Sequence, residues 1–182
     1  MTRNTVSRAL HDVGLAAWFG GTLANAVALN PAAAQAKDPE AVGHVTNDGW
    51  DRWTPVNAAA IGAHLLGSLG QLRGNRSRLA HQDGVAAMAT TKTVLTVAAL
   101  AVTGYSRVVG SKVSDPVDPP VHAGTEPIAT TPPEVRGAQA QLRYLQWAVP
   151  ALTGALVVIS AFAGEQQRPA SVVAGLVSRV RR

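Results

Sequence analysis

The sequence predicts an all-α fold: a transmembrane four-helix up-and-down bundle with a Pro-rich outer loop and a basic cytoplasmic tail. Three observations predict it. Four apolar stretches run about Ala9 to Leu29, Pro55 to Leu72, Gly84 to Ser106 and Tyr144 to Gly164. A hydrocarbon core about 30 Å thick needs about 20 helical residues to cross, and each stretch approaches or exceeds that length. Basic residues gather at alternate ends of these stretches, and polar or small residues recur along each one at helical spacing.

The chain of 182 residues is thus a single membrane domain of four spans, with 165–182 as a cytoplasmic basic amphipathic tail. Cysteine is absent, which excludes disulfides, thiolate chemistry and cysteine-ligated metals. The formal charge of +5 would raise the question of nucleic acid in a soluble protein. Its distribution instead points to membrane orientation and to no nucleic acid partner.

Arg3 and Arg8 precede the first span, Arg73, Arg76 and Arg78 follow the second, and Arg168, Arg179, Arg181 and Arg182 lie in the tail. The other two loops lean acidic, with Asp38, Glu40, Asp48 and Asp51, then Asp115, Asp118, Glu126 and Glu134. Excess Lys and Arg near span ends marks the cytoplasmic side. The expected address is the inner (plasma) membrane, multi-pass, with both termini cytoplasmic. Trp50, Trp53, Tyr105, Tyr144 and Trp147 fall at the opposite ends, as an aromatic belt at the outer headgroups. Arg3, Arg8, the first apolar run and Ala34-Gln35-Ala36 imitate a cleavable secretory signal. That run exceeds the usual length and holds His11, Asp12 and Asn25, so it is expected to stay as a span.

Thr54-Pro55 reads as an N-cap and first helical proline opening the second span. Residues 30–53 form an outer loop broken at Pro31, with a short helix around Pro31 to Ala41. Six prolines between Pro116 and Pro133 predict an extended, mobile outer loop over 111–133. Helical spacing from Glu134 to Arg143 starts the fourth helix outside the membrane, and Pro150 is tolerated within it. Val172, Val173, Leu176, Val177 and Val180 beside the tail arginines suit the cytoplasmic leaflet, with anionic lipid as partner.

Each span carries an inward stripe at steps of three and four. The first reads His11, Gly14, Trp18, Gly21 and Asn25; the second Asn57, Ile61, His64, Ser68 and Gln71. The third reads Lys92, Thr96, Ala99, Thr103 and Ser106; the fourth Gln146, Pro150, Thr153, Val157 and Ser160. Small residues permit close backbone approach, and buried polar groups seek partners across helices. Read antiparallel, the first two stripes pair His11 with Gln71, Gly14 with Ser68, Trp18 with His64, Gly21 with Ile61, and Asn25 with Asn57.

His11 and His64 could ligate a b-type haem, which needs both imidazoles at one depth. This register sets them about 10 Å apart along the axis, too far for one iron. The plainer interpretation makes His64 a neutral interior hydrogen-bonding group and puts His11 at the cytoplasmic threshold. Loop histidines His44, His81 and His122 lack ligand spacing, so no metal site is expected. Lys92, well inside its span and level with His64, is a functional candidate by position. Asp12 is its expected partner, and snorkelling to the interface is the alternative. No phosphate loop, nucleophile elbow or metalloprotease helix occurs. Asn75-Arg76-Ser77 fits a glycosylation sequon on the wrong side of the membrane.

Gly14-Leu15-Ala16-Ala17-Trp18-Phe19-Gly20-Gly21 after His11-Asp12 resembles a group of small actinobacterial four-helix integral membrane proteins with no assigned activity. Gly49 to Asn57, Leu145 to Leu156 and Gly164 to Pro169 are similar to the same group, so the resemblance covers nearly the whole chain. It implies a four-helix membrane protein and no particular chemistry. The first helix alone also resembles copper-resistance D-type membrane domains through His11, Trp18, Gly20 and Gly21. The chain lacks the methionine and cysteine that copper handling favours. The expected function is a non-enzymatic accessory or assembly subunit of a larger inner-membrane complex. The alternatives are a haem or redox module using His11 and His64, and a small transporter or lipid-binding protein using the His64 and Lys92 layer.

Overall fold

The computed structural model describes residues 4–76, 84–114 and 119–165. Helix α1 is the continuous run Thr5–Ala33, with a π-helical stretch at Asn25–Leu29. Helix α2 is Pro39–Gly74, α3 is Val85–Ser114 and α4 is Pro133–Glu165. An antiparallel hairpin between α3 and α4 pairs β1, Val121–Ala123, with β2, Glu126–Pro127. Among the described residues the fold is therefore all-helical apart from this hairpin. The amphipathic tail, Arg3, and the loop residues Arg78, His81 and Asp83 lie outside the described residues.

Helices α1, α3 and α4 are long and apolar enough to cross a membrane. Helix α2 is longer still, at 36 residues, but does not reach their apolarity. Glu40, Asp48, Asp51 and Arg52 crowd one half of it, and Asn57, His64 and Gln71 interrupt the other. The hydropathy of the second expected span is thus lowered by the residues that turn inward.

Several boundaries differ from expectation. Thr54-Pro55 does not open a helix, because α2 starts at Pro39 under an Asp38 cap that accepts from the Glu40 amide at 3.4 Å. Pro55 sits inside α2, where its missing N–H removes one hydrogen bond, to the Asp51 carbonyl. The Thr54 hydroxyl donates instead to the Trp50 carbonyl at 2.9 Å. The outer loop expected over 30–53 is consequently almost all helix, and residues 34–38 alone turn the chain.

Of the Pro-rich segment, 115–118 lie outside the described residues, and the rest is not an extended loop. Helix α3 continues to Ser114, and 119–133 folds back against α2 and α4. Val121 and Thr131 are nearly fully buried. Prolines lack N–H donors, so side chains supply them. The Thr131 hydroxyl donates to the Pro120 carbonyl at 2.6 Å and accepts from the Ile128 amide at 2.8 Å. Gln139 of α4, itself buried, donates to the carbonyls of Ala123 and Gly124 at 3.4 and 3.3 Å. Apart from the local Ile128–Thr131 bond, these contacts join residues eleven or more positions apart, and together they organise the segment.

Helix α1 packs along α2 and against α4, and α3 packs along α4. Contacts descend α2 as they ascend α1: Asn4 lies on Gly74, Ser7 on Gly70, His11 on Gly67, Gly14 on Ala60 and His64, and Leu29 on Gly49. This register is shifted by about one helical turn from the expected one. His11 meets Gly67 rather than Gln71, Gly14 meets His64 rather than Ser68, and Gly21 holds the Trp53 ring rather than Ile61. A Cβ at Gly14 would collide with the Ala60 carbonyl, and one at Gly67 with the His11 amide. Glycine lets the two backbones touch there.

The core divides in two. Leu15, Trp18, Ala99, Val149 and Leu156 form the central cluster, joining α1, α3 and α4. Val109, Val113, Val135 and Ala138 form a second one, between the C-terminal end of α3 and the N-terminal end of α4. The second cluster lies past the expected span ends, so these helix ends carry a packed core of their own.

Candidate functional site

The inner polar layer is built by α1, α2 and α3. Trp18, at 0 % exposure, fills the centre and donates its indole N–H to the Thr103 hydroxyl at 3.2 Å. One side of it meets His64, edge to face, at a ring-centroid distance of 6.1 Å. The expected Trp18–His64 contact therefore exists despite the shifted register, because both side chains are long enough to span it.

The register shift also brings the two histidines together. His11 and His64 have ring centroids 4.5 Å apart, tilted by 45°. Asp12 Oδ1 lies 2.6 Å from His11 Nδ1, and Lys92 Nζ lies 3.0 Å from His11 Nε2. A carboxylate only accepts and an ammonium only donates. The arrangement assigns the proton to His11 Nδ1 and the bare lone pair to Nε2. Lys92 thus reaches His11, which connects it to Asp12, rather than pairing directly with the expected carboxylate.

His64 Nδ1 donates to the His11 carbonyl at 3.3 Å. Its Nε2 is buried and has no partner among the described residues. Serine and threonine of the stripes largely turn back on their own helices. Ser68 donates to the His64 carbonyl, Thr96 to the Lys92 carbonyl and Thr153 to the Val149 carbonyl, each at 2.8 Å. Buried Asn25 Nδ2, Asn57 Oδ1 and Ser160 Oγ find no partner among the described residues. The expected Asn25–Asn57 pair is thus not formed, as the one-turn slip requires.

A haem does not fit this pair. Axial imidazoles stand on opposite faces of a macrocycle. Here the two rings touch each other, and both nitrogens of His11 are already engaged.

A second site lies towards the other end of the bundle. A cavity of about 250 Å³ opens between α2, α3 and α4, with Thr22 and Asn30 of α1 and Gly124 and Thr125 of the hairpin also in its wall. Asn30 organises the polar wall: it accepts from Trp50 Nε1 at 3.0 Å and donates to Gln146 Oε1 at 2.9 Å. Arg107 of α3 reaches Asp51 of α2 at 2.8 Å across the opening. Trp50 and Trp53 therefore turn partly inward, one onto Asn30 and the other over Gly21. Of the expected aromatic belt, Tyr105, Tyr144 and Trp147 face outward.

The structure brings His11, Asp12, Trp18, His64 and Lys92 together; sequence reasoning named these five as candidates but set His11 about 10 Å from His64 along the axis. It missed Asn30, Asp51, Arg107, Gly67 and Gly70. Asn30 stands directly before Pro31 and reads as a helix end, while Gly67 and Gly70 were hidden by the choice of the Ser68–Gln71 stripe. No known protein family, curated protein or solved structure matches the chain.

Proposed function

We propose that the chain is a non-enzymatic integral membrane protein that crosses the bilayer four times as an up-and-down bundle, with both termini cytoplasmic. Its proposed role is that of an accessory or assembly subunit of a larger inner-membrane complex, in line with the actinobacterial group it resembles. The outward face of α2 carries this reading. Val56, Leu66, Leu69 and Leu72 are each about half or more exposed, whereas His64 is at 0 % and Gly67 is buried. A helix with its polar groups against neighbours and its leucines outward suits lipid on the open side. The folded cap of α2, α4 and the hairpin supports a partner-binding role, since it offers an ordered surface beyond the bilayer.

Membrane fractionation with alkaline carbonate, followed by mild-detergent purification from the native membrane, tests this. The expected result is a carbonate-resistant chain with stoichiometric partners. A carbonate-soluble chain removes the membrane reading, and a clean monomer removes the subunit role.

A second reading, a small transporter or lipid-binding protein, draws on the Asp12–His11–Lys92 chain next to His64. Ionisable groups held within the bilayer depth and linked in a row suit ion or proton handling. A flux left intact by Lys92→Met removes it.

A further inference from the structure

We propose that the cavity between α2, α3 and α4 is a lipid site. It would take one acyl chain of a zwitterionic, phosphatidylethanolamine-type phospholipid, with the headgroup at Arg107 and Asp51. The proposal rests on the four-span reading and adds a ligand that this reading does not supply.

Three observations converge on it. First, the cavity holds about 250 Å³, and Ile61, Leu145 and Val149 supply apolar wall on the span side of Arg107. Ligand sites are lined chiefly by apolar side chains, with a few placed polar groups that fix orientation. Second, Gly104 and Gly110 of α3 line the same cavity, and a Cβ at either would meet no atom within 4 Å. The helix therefore leaves room there for a foreign chain to lie against it.

Third, the polar groups at the opening match one class of headgroup. Arg107 and Asp51 face each other at 2.8 Å, with each side chain about half exposed. Arginine carries five N–H donors in a planar fork suited to phosphate. Asp51 engages Arg107 through Nη1, and a fork of that kind can grip a phosphate in addition. An ammonium group beside the phosphate would meet the Asp51 carboxylate. A pair of opposite charges complements a zwitterion better than an anionic lipid, whose net charge Asp51 would repel.

The test reconstitutes the full chain in nanodiscs of mixed phosphatidylethanolamine and phosphatidylglycerol, re-extracts it in mild detergent and identifies retained lipid by native mass spectrometry. The expected result is a single retained phosphatidylethanolamine. Gly104→Leu and Gly110→Leu, which fill the space, should lose it, whereas Gly20→Leu, with open space and no place in the cavity wall, should keep it. Arg107→Gln and Asp51→Asn leave the cavity open and should shift any retained lipid to the bulk composition, which keeps the test decisive if the leucine variants misfold. Lipid at bulk composition in the native chain, or retention unchanged by all four cavity substitutions, overturns the site. Lipid-free protein that still resists carbonate extraction overturns the lipid site alone, and a carbonate-soluble chain overturns both.

Discussion

His11 and His64 face each other across α1 and α2 with ring centroids 4.5 Å apart, and only His11 has both nitrogens engaged. The two imidazoles should therefore respond differently to removal. His11→Leu leaves the Lys92 ammonium without its acceptor, a loss of about 1–3 kcal/mol. His64→Leu removes a ring whose Nε2 has no partner among the described residues, so it should cost less than about 1 kcal/mol. Thermal unfolding in detergent gives the comparison. In the cycle of His11→Leu with Lys92→Met, the double variant should recover part of the first loss.

The α1–α2 contact predicts opposite outcomes for glycines on the same helices. Gly14→Ala and Gly67→Ala drive a Cβ into backbone and should cost about 1–3 kcal/mol or more. Gly20→Ala and Gly62→Ala meet nothing within 4 Å and should stabilise by about 0.5–1 kcal/mol. Melting temperatures of the four variants decide it, and equal losses would contradict the contact.

Asn30 serves two partners at once, Trp50 and Gln146. Asn30→Ala strands a partly buried indole N–H and an amide oxygen and should cost about 1 kcal/mol. Loss of the indole bond should also shift Trp50 emission, measured in a Trp18, Trp53 and Trp147 to Phe background.

The ring contact between the histidines leaves no gap for a porphyrin. Protein purified from haem-replete cells should be colourless, with no Soret absorption. A Soret band lost on His64→Ala would show that the helices can part further than the packing suggests.

The absence of cysteine makes the orientation simple to test. Glu126→Cys should react with a membrane-impermeant thiol reagent added outside intact cells. Arg76→Cys should react only after the membrane is opened. The reverse pattern would invert the assigned topology.

What was legible in the sequence was the inward face of α1, since His11, Gly14, Trp18 and Gly21 all turn to a neighbouring helix, three of them against partners other than the expected ones. The register against α2 was not legible. A stripe at steps of three and four looks the same after sliding by one turn, and the loop expected over 30–53 would leave that slide free. Gly67, Gly70 and Gly74 settle it by receiving His11, Ser7 and Asn4, an interhelical fit with no local signature. Pro55 misled for another reason: proline is favoured at helix starts, yet within a helix it costs mainly one hydrogen bond and a local adjustment that a long helix can absorb. The folding of 119–133 hangs on Thr131 and Gln139, which act across many positions of chain and leave no periodic trace.

The π-helical stretch at Asn25–Leu29 acts as a phase adjuster for the first helix. A wider turn holds an extra amino acid, so everything after it is rotated by about 100° relative to an uninterrupted α-helix. That rotation aims Asn30 at both its neighbours, and shortening the stretch by one position would swing its amide away while leaving the Trp18 end undisturbed.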